Sequence, residues 1–212
     1  MLRYVYGDDL ERFPTLARSM FEDRAKQFYD RLQWEVTVQP DGTERDEYDA
    51  LNPLYVIWEQ PDGRHGGSMR FLPTTGDTMI NDHFLSLTDG VEIRSPFIWE
   101  CTRFCLAPDT LPRVSAALML GGMELGRAFQ LSHAVGVFDA RMVRIYRRLG
   151  WGPVILGTEG EGKEAISVGL WPFENELRPR LLERAGIPSA VSENWLDRSL
   201  DRSTQLPKQI TA

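Results

Sequence analysis

The sequence predicts an α/β fold with one mixed sheet, because helix and strand patterns alternate along a chain of the right size for one core. Its 212 residues are 42% apolar and 26% charged, a composition typical of a globular domain. Strand patterns follow each other directly in the middle and again near the end, which favours mixed strand directions. Since no segment repeats, we expect a single domain over residues 1–202 and a frayed tail over 203–212.

The N-terminal part predicts a strand and a long helix. The segment "LRYVY" alternates as a strand does, and Asp8 or Asp9 can cap a helix whose apolar residues recur at steps of three and four up to about Leu32. The polar, turn-rich "TVQPDGTERDE" after it predicts a mobile loop.

Strand patterns dominate the middle. The segments "LYVIWE" and "SMRFLPTT" flank the turn "QPDGRHGG" and predict a hairpin. The segment "PFIWECTRFCLAP", about 97–107, is the clearest strand, and a helix over about 112–129 and the strand "LSHAVGVF" follow it.

The last third begins with a basic helix, "DARMVRIYRRLG", which starts at Asp139 and ends at Gly150, where a left-handed cap is expected. Two short strands, "GPVILG" and "AISVGLW", come next. The segment "ENELRPRLLERAG" then predicts a late helix.

Charge is distributed unevenly. The net charge is −7, with 10 basic and 19 acidic residues in 1–100 and 14 basic and 12 acidic residues in 101–212. An acidic front half argues against nucleic-acid binding, which needs a basic footprint. No apolar run is long enough to cross a bilayer and no signal-peptide order opens the chain, so we expect a soluble, cytoplasmic protein with no membrane partner.

Cysteine and histidine usage predicts neither a disulfide nor a metal site. Cys101 and Cys105 are the only cysteines, and in a reducing cytosol such a pair usually fills a core. His65, His83 and His133 lie in unrelated contexts. We therefore expect no metal and no bound cofactor.

Arg24 lies where the apolar stripe of the first helix would place a core residue. An unpaired buried guanidinium costs several kcal/mol, so a buried Arg24 needs carboxylate or carbonyl partners. The alternative is a surface arginine whose stem packs on the helix while its head reaches water.

Aromatic and acidic residues follow Arg24 in order. Phe28 and Trp34 come first, and the run "ERDEYD" then supplies carboxylates that include Asp46 and Asp49 on either side of Tyr48. Charge runs are usually only solvated, but aromatic rings with carboxylates are also what a sulfonium or ammonium ligand requires.

These residues together carry a resemblance. The spacing of Arg24, Phe28, Arg31 and Trp34 ahead of "ERDEYD" resembles the signature of acyl-homoserine lactone synthases, the autoinducer synthases of quorum sensing, and only Asp23 departs from it. The segments "GSMRFLPT" and "ECTRF" resemble the family's later motifs, and "MVRIYRRLGWG" does so less distinctly.

The resemblance implies the N-acetyltransferase-like fold, a three-layer α-β-α sandwich whose mixed central sheet is splayed open to admit an acyl thioester. It also implies the reaction. S-adenosylmethionine, a substrate and not a cofactor, is acylated on its amino group from acyl carrier protein or acyl-coenzyme A, and it then closes to a lactone and releases methylthioadenosine.

The resemblance also assigns roles to residues. Glu100 becomes the candidate base, directly or through water, with a neighbouring main-chain carbonyl as a competing aid. A structural ion pair with Arg24 or Arg103 is the alternative. Arg70 joins these two arginines in organising the carboxylates, and Glu100 and Arg103, three apart, would share a site only if the strand has a bulge. The residues expected to enclose S-adenosylmethionine are Phe28, Trp34, Asp46 and Asp49.

An apolar slot is needed for the acyl chain. Its candidates are Phe84, Trp99, Met123 and Met142, for which plain core packing is the alternative. The acyl length stays open.

Arginines crowd the basic helix. Arg141, Arg144 and Arg148 share one face, with Arg147 beside them. Acyl carrier proteins are acidic, so this patch predicts a docking site for one, or for coenzyme A. The alternative is a solvent-exposed helix face whose positive charges interact favourably with the C-terminal end of the helix dipole.

Two other functions remain open. An ordinary N-acyltransferase that uses acyl-coenzyme A should have a glycine-rich pyrophosphate loop after the long strand, but the segment there, "CLAPDTLPRVSAALM", has no glycine. The glycines of the later "LGGMELG" indicate close packing. The second alternative is a non-catalytic module that binds a carrier protein.

Overall fold

One seven-stranded sheet forms the middle layer of the computed structural model, which describes residues 1–162 and 164–200. Its strands are β1 (Leu2–Tyr6), β2 (Leu54–Glu59), β3 (His65–Pro73), β4 (Ile98–Leu106), β5 (His133–Asp139), β6 (Val154–Glu159) and β7 (Ile166–Pro172). They lie in the order β1-β2-β3-β4-β5-β7-β6, and all neighbours are antiparallel except β4 and β5. The predicted mixed sheet is confirmed, whereas the expected frayed tail lies outside the described residues.

Helices cover both faces of this sheet. They are α1 (Pro14–Arg24), α2 (Met79–His83), α3 (Arg113–Ala128), α4 (Met142–Leu149), α5 (Leu177–Ala185) and α6 (Ser189–Leu200). Helices α1 and α2 pack on one face through two small apolar clusters, and α3 lies in the main core on the other face with α4, α5 and α6. The predicted three-layer α-β-α sandwich is therefore confirmed.

The first helix differs from its prediction. Asp8 and Asp9 lie in a 3-10 turn over Gly7–Arg12 and cap nothing, because α1 begins only at Pro14. Proline suits this first position, since its missing N–H has no partner there in any case. The helix then widens into a π-helix over Ala25–Arg31, a form often found at functional sites.

Two further elements were not predicted. Helix α2 has five residues, too few to show a helical period. Helix α6 carries a weak apolar pattern that sequence periodicity does not separate from a loop.

The sheet splays open between β4 and β5. These strands pair only at Ile98–His133, Trp99–Ala134 and Glu100–Val135. A Cβ atom added at Gly136 would lie 2.8 Å from the carbonyl oxygen of Cys101, so the strands are still close at that point and the gap begins beyond it. The expected opening is confirmed.

Strand β4 contains the bulge that Glu100 and Arg103 require. Ser68 pairs with Cys105 and Arg70 with Thr102, so β4 has one residue more than β3 between these pairs. Arg103 adopts a left-handed φ of 54°, an unusual value for a non-glycine residue and common beside active sites. The bulge turns Arg103 to the sheet face that carries Arg70 and Thr102.

Candidate active site

Six charged side chains form a buried network on the α1 face of the sheet. The three cations are Arg24, Arg70 and Arg103, and the three anions are Glu44, Asp46 and Asp49. We call these six residues the polar wall. Because it balances charge within a low-dielectric region, each member depends on the others.

Arg24 is 1% exposed. Its Nε lies 2.5 Å from Glu44 Oε2, and its two terminal nitrogens donate to the two oxygens of Asp49 at 2.9 Å each. The prediction of a buried arginine with carboxylate partners is confirmed. The expectation that Glu100 pairs with Arg24 is wrong, because Glu44 and Asp49 occupy this guanidinium.

The other two arginines close the network. Arg70 pairs with Asp46 and Asp49 and donates from Nε to Thr102 Oγ1 at 2.9 Å. Arg103 lies 2.7 Å from Asp46 and 3.0 Å from Glu44. Each of these carboxylates therefore contacts two of the three arginines.

These contacts shift the pKa values of Asp49 and Arg24. Burial opposes the charge of Asp49, but Arg24 and Arg70 outweigh it and hold the pKa of that carboxyl well below its usual range. Burial likewise opposes the charge of Arg24, yet Asp49 and Glu44 raise its pKa. Asp46 and Asp49, expected to enclose a cationic ligand, already have cationic partners within the protein.

A capping box explains why "ERDEYD" folds as it does. Asp46 accepts from the backbone N–H of Asp49 at 3.2 Å, and Asp49 accepts from the N–H of Asp46 at 2.9 Å. The pair starts a 3-10 turn over Glu47–Leu51. The turn holds both carboxylates toward the arginines.

Glu100 has backbone partners. Its two carboxylate oxygens accept from the N–H groups of Met79 at 3.1 Å and Ile80 at 2.7 Å, so it caps the start of α2. Glu100 is 1% exposed, and burial raises its pKa to about 7 despite these hydrogen bonds. Sequence reasoning missed this contact, because α2 is too short to predict.

Two aromatic rings stack beside the polar wall. Phe28 and Trp34 have ring centroids 5.2 Å apart and nearly parallel planes, and the Arg103 guanidinium lies 5.5 Å from the Phe28 centroid. Trp34 is 36% exposed. The pair therefore offers an aromatic surface that solvent reaches.

A cavity of about 740 Å³ opens where β4 and β5 diverge. On the α1 face its lining includes Phe28, Trp34 and Arg103, and on the α3 face it includes Phe71 and Met119. The cavity therefore passes through the sheet. Its volume lies within the range of small-molecule sites.

The expected acyl-pocket residues are dispersed. Met142 lines the cavity. Phe84, Trp99 and Met123 lie outside its lining and pack in apolar clusters instead, with Trp99 4.7 Å from Phe129 between ring centroids. Residues that sequence reasoning missed form the lining on the α3 face: Met69, Phe71, Met119, Gly122, Phe138, Tyr146, Trp151 and Trp171. These apolar residues share a cavity only because β4 and β5 diverge in the fold, so sequence periodicity does not show which of them line it.

Asp23, which departs from the family signature, has its own partners. His65 contacts Asp23 Oδ2 through Nδ1 at 2.9 Å and Ser68 Oγ through Nε2 at 3.0 Å. Burial lowers the pKa of His65. This buried chain of hydrogen bonds ties α1 to β3 next to Arg24.

The basic helix leaves its arginines at the surface. Arg141, Arg144, Arg147 and Arg148 are all exposed, and Arg141 pairs with Asp139 at 2.8 Å. Arg141 and Met142 also line the cavity. The patch therefore adjoins the cavity.

The described residues give no grouping of histidine, cysteine or acidic side chains suited to a metal ion. Among their helices, none combines the length and apolar character that a membrane crossing needs. Both cysteines are free.

Comparison with known proteins identifies relatives of this arrangement. The autoinducer synthase family model matches residues 9–181. An acyl-homoserine-lactone synthase of Rhizobium etli is 42% identical over 199 residues, which cover 87% of this chain and 93% of the relative. Another acyl-homoserine-lactone synthase, from Agrobacterium fabrum, is 32% identical over 156 residues, which cover 69% of this chain and 74% of the relative.

Solved structures share the fold. The CoA-dependent acyl-homoserine lactone synthase BjaI, solved with SAM and isopentyl-CoA, aligns with a TM-score of 0.80 at 21% identity over 89% of this chain and 90% of that one. The synthase LasI aligns with a TM-score of 0.74 at 22% identity, over 86% of this chain and 94% of that one. A putative N-acetyltransferase from Lactobacillus plantarum aligns at 0.53 and 11% identity over 82% and 99%. At these identities the likeness shows the fold alone.

Proposed function

Because the chain belongs to the autoinducer synthase family and is an acyl-homoserine-lactone synthase, we propose that its through-sheet cavity joins S-adenosylmethionine to an acyl thioester. One observation carries the assignment of faces: the cavity has the charged, aromatic side at α1 and an apolar side at α3. The Phe28 and Trp34 rings on the first side suit the sulfonium of an amino-acid substrate, Arg103 suits its carboxylate, and the apolar side fits an acyl chain.

S-adenosylmethionine binds at the Phe28–Trp34 pair in this proposal. The rings provide the surface for its sulfonium, while Arg103, which lines the cavity, is placed to receive its carboxylate. Arg24, Arg70, Asp46 and Asp49 hold Arg103 and the surrounding chain in place. They position this side of the site without needing to touch the ligand.

In the first step the amine nitrogen attacks the thioester carbon. A C–N bond forms, the C–S bond breaks, and one proton passes from the nitrogen to the sulfur, so that the carrier leaves as a thiol. The amine is an ammonium in water, so a base must first take its other proton. Glu100 receives that proton through a water in this proposal, since it is buried near the cavity without lining it. A pKa of about 7 suits a base that works near neutral pH.

In the second step the methionyl carboxylate attacks the carbon next to sulfur. A C–O bond closes the lactone while the C–S bond breaks, and methylthioadenosine leaves as a neutral thioether. No acid is needed for this leaving group, so geometry is the main requirement.

The donor reaches the cavity past the basic helix. Arg141 lines the cavity, and Arg144, Arg147 and Arg148 are exposed further along the same segment. Their positive charge suits an acidic carrier protein, although the net charge of the whole chain is −7. Screening beyond roughly 10 Å leaves such a local patch in control. Coenzyme A would use the same charges through its phosphates.

The assignment is tested by mixing the purified protein with S-adenosylmethionine and acyl thioesters, on carrier protein and on coenzyme A in separate reactions. Mass spectrometry should detect methylthioadenosine and an acylated lactone in equal amounts. Absence of both products with every thioester would contradict the proposal.

A further inference from the structure

Three glycines interrupt helix α3, and two of them are explained by contacts. A Cβ at Gly121 would lie 2.6 Å from Val56 Cγ1, and one at Gly126 would lie 2.1 Å from the Phe173 ring. No real Cβ approaches this closely, so β2 and Phe173 require glycine there. The prediction of close packing holds for these two positions.

Gly122 is different. A Cβ there would lie 3.3 Å from Met69 Cε, 3.5 Å from Phe71 Cζ and 3.7 Å from Trp151 Cζ3. The nearest atom is the flexible end of the Met69 side chain. The backbone φ of Gly122 is not positive, so the backbone does not require glycine either. Packing therefore accepts alanine, which a helix interior favours over glycine.

The three neighbours of Gly122 all line the cavity, as Gly122 itself does. All of them are buried, whereas Trp34, Arg141 and other lining residues are exposed. The exposed residues mark the mouth, and the buried apolar residues on the α3 face form the inner end of the acyl side. A side chain at position 122 would occupy space at that inner end.

We propose that Gly122 sets the acyl-chain length that this synthase accepts, by leaving room for the terminal carbons of a straight chain between α3 and β3. This inference depends on the proposed function, because it places the acyl chain on the α3 side of the cavity. It predicts that filling position 122 penalises long chains and spares short ones.

The test compares wild type, Gly122→Ala and Gly122→Val with a series of straight-chain acyl thioesters of increasing length. For the longest chain that the wild type uses well, kcat/KM should fall roughly tenfold or more in Gly122→Ala, because one methyl group in an apolar pocket discriminates by about that factor. Gly122→Val should move the preferred length further down. In both variants kcat/KM should fall far less for the shortest chains than for the longest, so the ratio of the two values should drop.

Gly121→Ala is the matched control on the same helix. It should lower the melting temperature, because its methyl group meets Val56, and its length preference should stay that of the wild type. An unchanged length preference in both Gly122 variants, or an equal shift in Gly121→Ala, would overturn the inference.

A binding measurement separates this inference from the proposed function. Calorimetry with N-acyl-homoserine lactones of increasing length needs no turnover. If the wild type releases no methylthioadenosine, the proposed function fails, yet Gly122→Val must still weaken long-chain lactones more than short ones. Equal weakening at all lengths would refute the role of Gly122 whether or not the protein turns over.

Discussion

The two sides of the cavity are built on different principles. The polar wall on the α1 face consists of charged residues that each have specified partners, such as Arg24 with Glu44 and Asp49. The apolar side at α3 consists of residues, such as Met69 and Met119, that make non-directional van der Waals contacts and have no specified partner. A buried charge depends on its partner, whereas apolar residues exchange more freely when volume is kept. Substitutions should therefore be severe on the first side and graded on the second.

The largest effect is expected at Glu100, which lies behind the polar side. Replacing Glu100 with Gln removes the base, and turnover should fall about 10²- to 10⁴-fold. In the wild type, kcat should rise as pH rises through about 7, where this carboxyl loses its proton. Stopped assays across pH 6–8 should show that rise in the wild type and not in Glu100→Gln.

Stability provides the control for Glu100→Gln. The folded pKa of Glu100 is raised, so its neutral form stabilises the fold below the unfolded value of 4.5, and this contribution is lost as pH rises toward about 7. The glutamine variant should stay folded, and its free energy of unfolding should not show this decrease as pH rises. Near wild-type turnover in a folded Glu100→Gln would mean that another group takes the proton.

A second prediction concerns the polar wall itself. Arg24→Ala leaves Glu44 and Asp49 buried with less positive charge around them, so the free energy of unfolding should fall by about 3–5 kcal/mol. Urea denaturation measures this loss. Arg18→Ala is the control on the same helix, because Arg18 pairs with Glu22 at the surface and its loss should change stability by less than about 0.5 kcal/mol. Similar losses in both variants would contradict the dependence of the wall on its internal pairs.

The same contrast explains what the sequence could predict. Arg24 stands out because a charge interrupts an apolar stripe, and its spacing to Phe28, Trp34 and "ERDEYD" points to one site. The strand bulge follows from the need to bring Glu100 and Arg103 together. Charged and aromatic residues at fixed spacing are local features of the chain, so most of the polar side can be predicted from sequence. Glu44 as a partner of Arg24 was not predicted, because that contact depends on how the loop folds back onto the helix.

The apolar side gives no such signal. Trp99 and Trp151 are equally apolar in sequence, yet only Trp151 lines the cavity, because the side that faces the gap depends on how β4 and β5 diverge. Helix α2 is too short to predict, so the backbone partners of Glu100 were missed as well. Long-range geometry, and not local pattern, decides both cases.

Trp34 should show an intermediate effect, confined to one substrate. Trp34→Ala removes one ring of the stacked pair, and the KM for S-adenosylmethionine should rise about 3- to 30-fold, the range of a cation–π contact that is partly exposed. The KM for the acyl donor should change little. Tyr29→Ala removes an exposed ring of the π-helix that carries Phe28; Tyr29 does not line the cavity, and its loss should leave both constants unchanged. A rise in both KM values for Trp34→Ala would place the ring at the acyl side instead.

The smallest effect should come from the rim, where charges are exposed to solvent. Arg144→Glu should raise the KM for carrier-protein thioesters roughly three- to tenfold, because reversing one charge turns a screened attraction into a repulsion without disturbing the site. The effect should shrink as salt is added. Arg12→Glu makes the same change of charge in the N-terminal 3-10 turn and should have no such effect.

Since a small thioester needs no protein docking surface, kcat for an acyl-pantetheine donor should be equal in wild type and Arg144→Glu. A lower kcat for that donor would place Arg144 inside the chemistry and not at its edge.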